Sequence, residues 1–424
     1  MINLKSKTIL CFDSGSFFEI CLKLADSYKQ VLYYCPWDYA GFPKPDKARI
    51  GSEWVNGKQL DTFDGKPFKM VEDFYDALKE ADILFFTDCY QGSLMEHLRE
   101  CGYPVCGSGK GQIIELDRWL CMQEFKAAGM DVDRVSRVIG TTNLKNYLSK
   151  VTDKWIKISK YRKLVETFHH ETAELSAPIL EKMEFELGSI KETIEFLIFD
   201  PIDAIIEEGI DVYTVDGKYP TTTLAGTEIK DKAYYGEIMP YNKLPKGVQK
   251  TTNAISPILK KYGYKGFFST EVRTTKTEHF LTDFTARLPM PPSPLYPCLF
   301  ENLGEIIWGI ANGEIVDIKP TAKCGLYLTI STEHDEANQT IYFPEKYRDN
   351  IKLSYATKID GKYSVININH FPEIGAVVTT GATYEECKKK MEEIVPTIKG
   401  YGICIDLKYL DDAKAAFDKM QSNG

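Results

Sequence analysis

The chain has 424 residues, 43% hydrophobic and 27% charged, with a formal net charge of −9. That length suits two or three domains with separate cores, the balance excludes a disordered chain, and the acidic charge disfavours a phosphate backbone as principal partner. The apolar runs at 83–86 and 195–199 fall far short of the roughly 20 residues needed to span a bilayer.

The N-terminal residues run straight into a strand-like segment without the pattern of a secretory signal, which predicts a cytoplasmic protein with no membrane attachment. The eleven cysteines form no CxxC pair. Several, such as Cys11, Cys21 and Cys404, sit in apolar runs, which predicts reduced core thiols.

In chain order, 8–12 reads as a strand, and Ser16-Phe-Phe-Glu19 as a capping box opening a helix. A strand at 31–35, a helix at 74–80, a strand at 83–87, a helix at 92–101 and a short strand at 104–107 follow. This alternation predicts a parallel sheet with crossover helices, closing near residue 110. A helix is expected over 113–128, stopped by Gly129. Strands at 135–139, 155–158 and 165–169 come next, then helices over 174–186 and 189–199, the second opened by a capping box at Ser189-Ile-Lys-Glu192. Residues 204–207 and 211–215, with the Asp216-Gly217 turn, read as a hairpin, and 266–288 as two strands joined by the turn 274–278. The proline-rich 289–297 is a break that is neither helix nor central strand. A helix at 299–312, strands at 325–331 and 363–369, Val377-Val378, a helix at 383–399 and a strand at 403–407 form a small terminal α+β unit. The expected fold class is thus α/β and α+β, multidomain.

Several residues have chemical potential. Lys157, between apolar neighbours on a strand, points either to solvent or to an anion. Lys160, Arg162 and Lys163 crowd the following turn, as an exposed charged tip or as a basic loop closing over a triphosphate. Glu207, Glu208 and Asp211 either cap a strand or accept from a nucleotide's amide and ribose hydroxyls. Alternation puts Glu271 with Arg273 on one face of a strand, and Asp283 with Thr285 and Arg287 on one face of the next. If those strands pair, their carboxylates converge, either in a salt-bridge ladder or as hard oxygen ligands for magnesium holding phosphate, with arginine stabilising a transferring phosphoryl group. Asp13-Ser-Gly-Ser16 carries one glycine, short of a dinucleotide fingerprint, and the six histidines form no HxxxH or HxH pair.

Taken in order, Ile9-Leu-Cys-Phe-Asp-Ser-Gly-Ser-Phe-Phe-Glu19, Tyr103-Pro-Val-Cys-Gly-Ser-Gly-Lys110 through Arg118, and Ile374-Gly-Ala-Val-Val-Thr-Thr-Gly-Ala-Thr-Tyr-Glu-Glu386 with Gly402-Ile-Cys-Ile-Asp406 resemble glycinamide ribonucleotide synthetase (phosphoribosylamine–glycine ligase), of the ATP-grasp superfamily. The resemblance runs along essentially the whole chain. It implies a Rossmann-like pre-ATP-grasp domain at 1–110, an ATP-grasp domain with antiparallel sheets at 111–320 (lid about 135–205), and a C-terminal α+β domain at 321–424. It also implies ATP and Mg2+ as cofactors. Arg118 would stand where the family has a nucleotide-binding lysine, Lys157 would contact adenine and α-phosphate, and Glu208 and Asp211 would lie near the ribose. Glu271 and Asp283 would hold magnesium, with Thr285 replacing an asparagine ligand, and Arg287 would match the arginine that follows.

Two departures are visible. The phosphate loop, Ser159-Lys-Tyr-Arg-Lys-Leu164, lacks glycine, so phosphate contacts would come from side chains. Asp231-Lys-Ala-Tyr-Tyr-Gly-Glu237 replaces a glycine-rich stretch near the acceptor site, which argues against phosphoribosylamine as substrate. The expected activity is an ADP-forming carboxylate–amine ligase working through an acyl phosphate on small-molecule substrates, as a monomer or homodimer. The alternative is a grasp-fold protein that has lost catalysis and serves in binding or assembly.

Overall fold

The computed structural model describes residues 2–36, 48–130, 135–160, 167–204, 206–334, 338–366 and 372–423. Thr8–Phe12, apolar from Ile9 onward, forms the middle of a parallel five-stranded sheet, ordered Phe68–Met70, Gln30–Tyr34, Thr8–Phe12, Ile83–Phe86, Val105–Cys106. Being covered on both faces, these strands read as continuous hydrophobic runs rather than alternating ones.

A separate antiparallel sheet orders Thr167–His170, Lys154–Ile158, Glu195–Phe199 and Val135–Ile139. The helices Thr141–Leu148 and Ala173–Leu187 cover one side of it, and Ile156, Ile158, Phe196, Leu180 and Met183 make its own core.

The largest sheet has nine strands. From one edge it runs His279–Thr285, Lys265–Thr274, Ile206–Val215, Thr222–Ile229, Ala233–Pro240, Cys324–Thr332, Glu373–Gly381, Ile351–Leu353, with Ile403–Cys404 added beside Cys324–Thr332. It carries strands from both sides of residue 320 in one hydrogen-bonded ladder. A small fourth sheet joins Glu53–Val55 from early in the chain to Ala356–Ile359, in parallel. Among the described residues, no helix is long and apolar enough to cross a membrane.

Several expectations are corrected by side-chain chemistry. The Ser16–Glu19 box does not form: Phe17 is the cap of Phe18–Leu24, the Ser16 hydroxyl pairs with the Tyr355 hydroxyl at 2.8 Å, and Glu19 is turned to Arg348. The helix expected over 189–199 is a 3-10 turn, Gly188–Ile190, followed by the strand Glu195–Phe199. Its supposed capping glutamate, Glu192, accepts from the Thr141 and Thr142 hydroxyls instead. A run of four buried residues, Glu195 to Ile198, suits a central strand better than an amphipathic helix.

The segment 113–128 is two helices, Ile113–Leu116 and Arg118–Ala127, because Asp117 is extended and its carboxylate caps the second at the Leu120 N–H, 3.0 Å away. The proline-rich break contains the short helix Tyr296–Leu299, where Pro297 sits in the first turn and needs no amide partner. Cys404 is exposed, while Cys11 and Cys21 are buried and free. The helices Lys246–Lys261 and Tyr409–Asn423 extend the expected set, the latter burying Leu410, Ala413, Phe417 and Met420.

A buried ionic cluster ties the early residues to the late ones. Arg348 meets Glu19 at 3.0 Å and Asp64 at 2.7 Å, Lys358 meets Asp64 at 2.6 Å, and the Tyr363 hydroxyl donates to Asp64 at 2.7 Å. Each of the Arg348, Glu19 and Asp64 side chains is about a tenth exposed. Removing Arg348 therefore leaves the buried Glu19 carboxylate without a cation, while Asp64 keeps Lys358 and Tyr363. Arg348→Met should lower unfolding free energy by about 3–5 kcal/mol in urea titration; a loss under about 1 kcal/mol would mean that water already solvates the cluster.

Candidate functional site

The strands Lys265–Thr274 and His279–Thr285 pair Thr274 with His279, Arg273 with Phe280 and Val272 with Leu281, after which the register shifts and Glu271 faces Asp283. Thr282 is the extra, bulged residue. In an unbroken ladder Glu271 would face Thr282, and Asp283 would fall on the opposite face. The bulge brings the two carboxylates onto one face, side by side.

Thr282 also fastens the arrangement. Its hydroxyl donates to Glu271 Oε1 at 2.8 Å, and its carbonyl accepts from Lys157 Nζ at 3.3 Å. Lys157, reaching over from Lys154–Ile158, lies 3.8 Å from Asp283 Oδ2. Burial first, then repulsion from Glu207 and Asp283, raises the Glu271 pKa, while Lys157 and the Thr282 hydrogen bond oppose the shift. A cation placed among these oxygens would relieve that repulsion.

The remaining candidates divide. Glu207 and Arg273 face each other across Ile206–Val215 and Lys265–Thr274, with Arg273 Nε donating to Glu207 Oε2 at 3.1 Å and lying 3.8 Å from Glu271. Asp211, two positions along from Gly209 on that face, accepts from the Tyr234 hydroxyl at 2.7 Å, and burial pushes its carboxyl up to about 7. Thr285 is beyond Asp283 on the same strand face, opposite Ser269.

Alternation turns the Glu208 carboxylate the other way, where it accepts from Thr274 Oγ1 at 2.8 Å and lies so close to Gly247 that a Cβ there would be 2.1 Å from its oxygen. Arg118 Nη1 donates to the Ile158 carbonyl at 2.6 Å, and Lys160 lies 3.2 Å from Asp117. Both cations thus latch the end of the Lys157 strand to the start of the Arg118 helix. Arg162 and Lys163 lie outside the described residues. Arg287 is gripped by Glu115 at 3.1 Å and Asp88 at 3.6 Å. Burial pulls its pKa down, but those carboxylates more than offset the effect and keep the guanidinium charged.

These groups border a cleft of about 650 Å³ over the nine-stranded sheet, lined by Glu207, Asp211, Glu271, Arg273, Asp283 and Arg287 among others. A second cavity of about 510 Å³ adjoins it, and Glu228, Lys230, Arg287, Met290 and Pro291 line both. Arg287 therefore stands at the passage between two spaces. Glu115, Asp88, Thr282 and Tyr234 were not singled out by sequence reasoning; Glu115 lies within an expected helix, and nothing local marks a bulge at Thr282.

Among the described residues, no three His, Cys, Asp or Glu side chains gather into a ready-made metal cage. Magnesium needs none: it keeps several waters and takes one or two carboxylates together with phosphate oxygens. The donor set of Glu271, Asp283 and the Thr285 hydroxyl, all hard oxygens and with the first two repelling each other, fits that ion.

The chain matches no protein-family profile and no curated protein sequence. It does match solved structures. A phosphoribosylamine–glycine ligase from Thermotoga maritima superposes with a TM-score of 0.67 at 14% identity, covering 94% of this chain and 98% of that one. The biotin carboxylase domain of a Hydrogenobacter thermophilus 2-oxoglutarate carboxylase, bound to MgADP, ADP and bicarbonate, gives 0.68 at 13% identity, over 99% and 95%. A Staphylococcus aureus N5-carboxyaminoimidazole synthetase with ADP gives 0.58 at 12%, over 93% and 98%. The architecture is thus the multidomain ATP-grasp fold. Within that class, the likeness to phosphoribosylamine–glycine ligase read from the sequence is matched by a likeness of fold over nearly both chains.

Asp211 offers a test of the cleft's electrostatics. Below about pH 4 it is protonated in folded and unfolded chains alike; as pH rises towards about 7 the unfolded chain releases its proton first, so folding stability falls. Asp211→Asn takes no proton and should escape that loss. The melting temperature of the variant minus that of the wild type should climb steadily from pH 4 to pH 8; a flat difference would refute the raised pKa.

Proposed function

We propose that the chain is an ATP-dependent, magnesium-assisted ligase that joins a carboxylate to an amine, with phosphoribosylamine not the amine. One observation carries the reading: a bulge puts Glu271 and Asp283 together beneath Lys157, at the edge of a cleft that opens through Arg287 into a second cavity. Glu271, Asp283 and Thr285 would hold the metal ion, which when bound neutralises phosphate charge and orients the γ-phosphoryl group.

Lys157 would exchange Asp283 and the Thr282 carbonyl for phosphate oxygens, a swap of one oxygen anion for another. Arg118 and Lys160 would add charge beside it, and Glu207 and Asp211 would border the adenine and ribose. Arg287, held charged by Glu115 and Asp88, would meet the phosphoryl group as it leaves ADP for a carboxylate oxygen. The amine then attacks the acyl phosphate carbon, inorganic phosphate departs, and the nitrogen loses a proton to give the amide. Arg273, already on Glu207 and near Glu271, would keep those carboxylates in place.

The departure of 231–237 from the resembled family falls at the second cavity, where Asp231 and Lys232 are part of the wall; this supports a different acceptor. A second reading, binding without turnover, is favoured by the glycine-free loop at 159–164.

Titration calorimetry with ATP and magnesium, followed by ADP release across a panel of amino acids and amines, separates the two. Glu271→Ala with Asp283→Ala should weaken MgATP binding by roughly 100-fold, since losing outer partners of a metal site alone costs 10–100-fold. The double variant should keep the wild-type circular dichroism spectrum. Unchanged affinity would end the metal assignment, and binding without ADP release in any mixture would favour the second reading.

A further inference from the structure

The second cavity contains an unexplained cation. Lys352, on the strand Ile351–Leu353, lines it and is 7% exposed. Among the described residues, no hydrogen bond or ion pair reaches its ammonium. Glu19 lines the same cavity but is committed to Arg348 at 3.0 Å and to the Leu353 N–H at 3.2 Å. The stem of the side chain is thus covered by protein while the ammonium opens onto cavity space without a partner, an arrangement that an anion there would complete.

Two further observations fall on the same wall. The Ser14 hydroxyl is buried there without a partner, an unsatisfied group of the kind that a ligand's oxygen completes. Among the described residues, eight non-glycine residues hold positive φ; six are Asn or Asp, which tolerate it, and the two others are Tyr90 at 77° and Tyr355 at 54°. Both tyrosines line this cavity. Backbone strain in bulky residues gathers where side-chain position matters to a ligand.

We propose that Lys352 is the anion anchor of this cavity, recognising a carboxylate or phosphate carried by the acceptor substrate, with the Ser14 hydroxyl as a second contact. The word acceptor rests on the ligase reading above; the anion site itself does not. Arg287 at the passage sets the direction: an acceptor anchored by its oxyanion at Lys352 extends its reacting group towards the ATP cleft.

The test is thermal unfolding of the full chain with sodium phosphate or sodium acetate, against sodium chloride at equal ionic strength. The wild type should gain roughly 2 °C or more with one of the two probes, phosphate marking a phosphorylated acceptor and acetate a carboxylate. Lys352→Met should lose the anion response. Lys352→Arg should keep it. No response in the wild type, an equal response in Lys352→Met, or loss of the response in Lys352→Arg would each overturn the proposal. Calorimetry of the wild type with MgATP runs in parallel. MgATP binding without an anion response sinks only the anchor, and an anion response without MgATP binding sinks only the ligase reading.

Discussion

A single inserted residue governs the geometry on which the cleft depends. Side chains alternate along a strand, so two carboxylates on neighbouring strands share a face only when the register allows it. Between His279 and Glu271 the hairpin would place Asp283 on the wrong face, and the bulge at Thr282 corrects it. The same threonine holds Glu271 with its hydroxyl and Lys157 with its carbonyl. Register, carboxylate orientation and the approach of the covering sheet therefore meet at one position. Bulges recur beside functional sites because they re-aim side chains without changing the surrounding ladder.

The surrounding structure makes that position stiff on one side and adjustable on the other. Glu271 and Asp283 stand at the edge of a nine-stranded sheet whose strands come from well-separated parts of the chain. Lys157 comes from a sheet with its own core, joined to the Arg118 helix by hydrogen bonds and the Lys160–Asp117 ion pair. Separate cores allow relative motion, and Lys157 makes long contacts, 3.3 and 3.8 Å, that incoming phosphate could replace. On the far side, Arg287 is fixed by two carboxylates, and Glu19 of the Arg348–Glu19–Asp64 cluster lines the second cavity. The two buried guanidiniums are each held by a pair of carboxylates, whereas no such partner reaches Lys352 among the described residues.

Much of this was legible from residues alone. The parallel sheet followed from strands and helices alternating over residues 8–107, and the hairpin of Lys265–Thr274 with His279–Thr285 from two apolar runs flanking a polar turn. Lys157, Glu271, Asp283 and Arg287 stood out as charges inside such runs. Capping boxes misled twice, at Ser16 and Ser189, because serine and glutamate three residues apart satisfy the pattern while distant partners, Tyr355 and Arg348 in one case and Thr141 and Thr142 in the other, claim the same atoms. Local signals cannot register such competition.

What the sequence determined by itself was the alternating strands and helices over residues 8–107, the hairpin of Lys265–Thr274 with His279–Thr285 and the residues carrying charge into apolar surroundings, since these arise from short-range periodicity and composition. The tertiary structure alone decided which of those charges meet. The shift at Thr282, the turning of Glu208 away from the cleft, the grip of Glu115 and Asp88 on Arg287 and the isolation of Lys352 all depend on register and on contacts between residues far apart in the chain. Pairing energy is set by distance in space, and one residue of slip is enough to reverse a face.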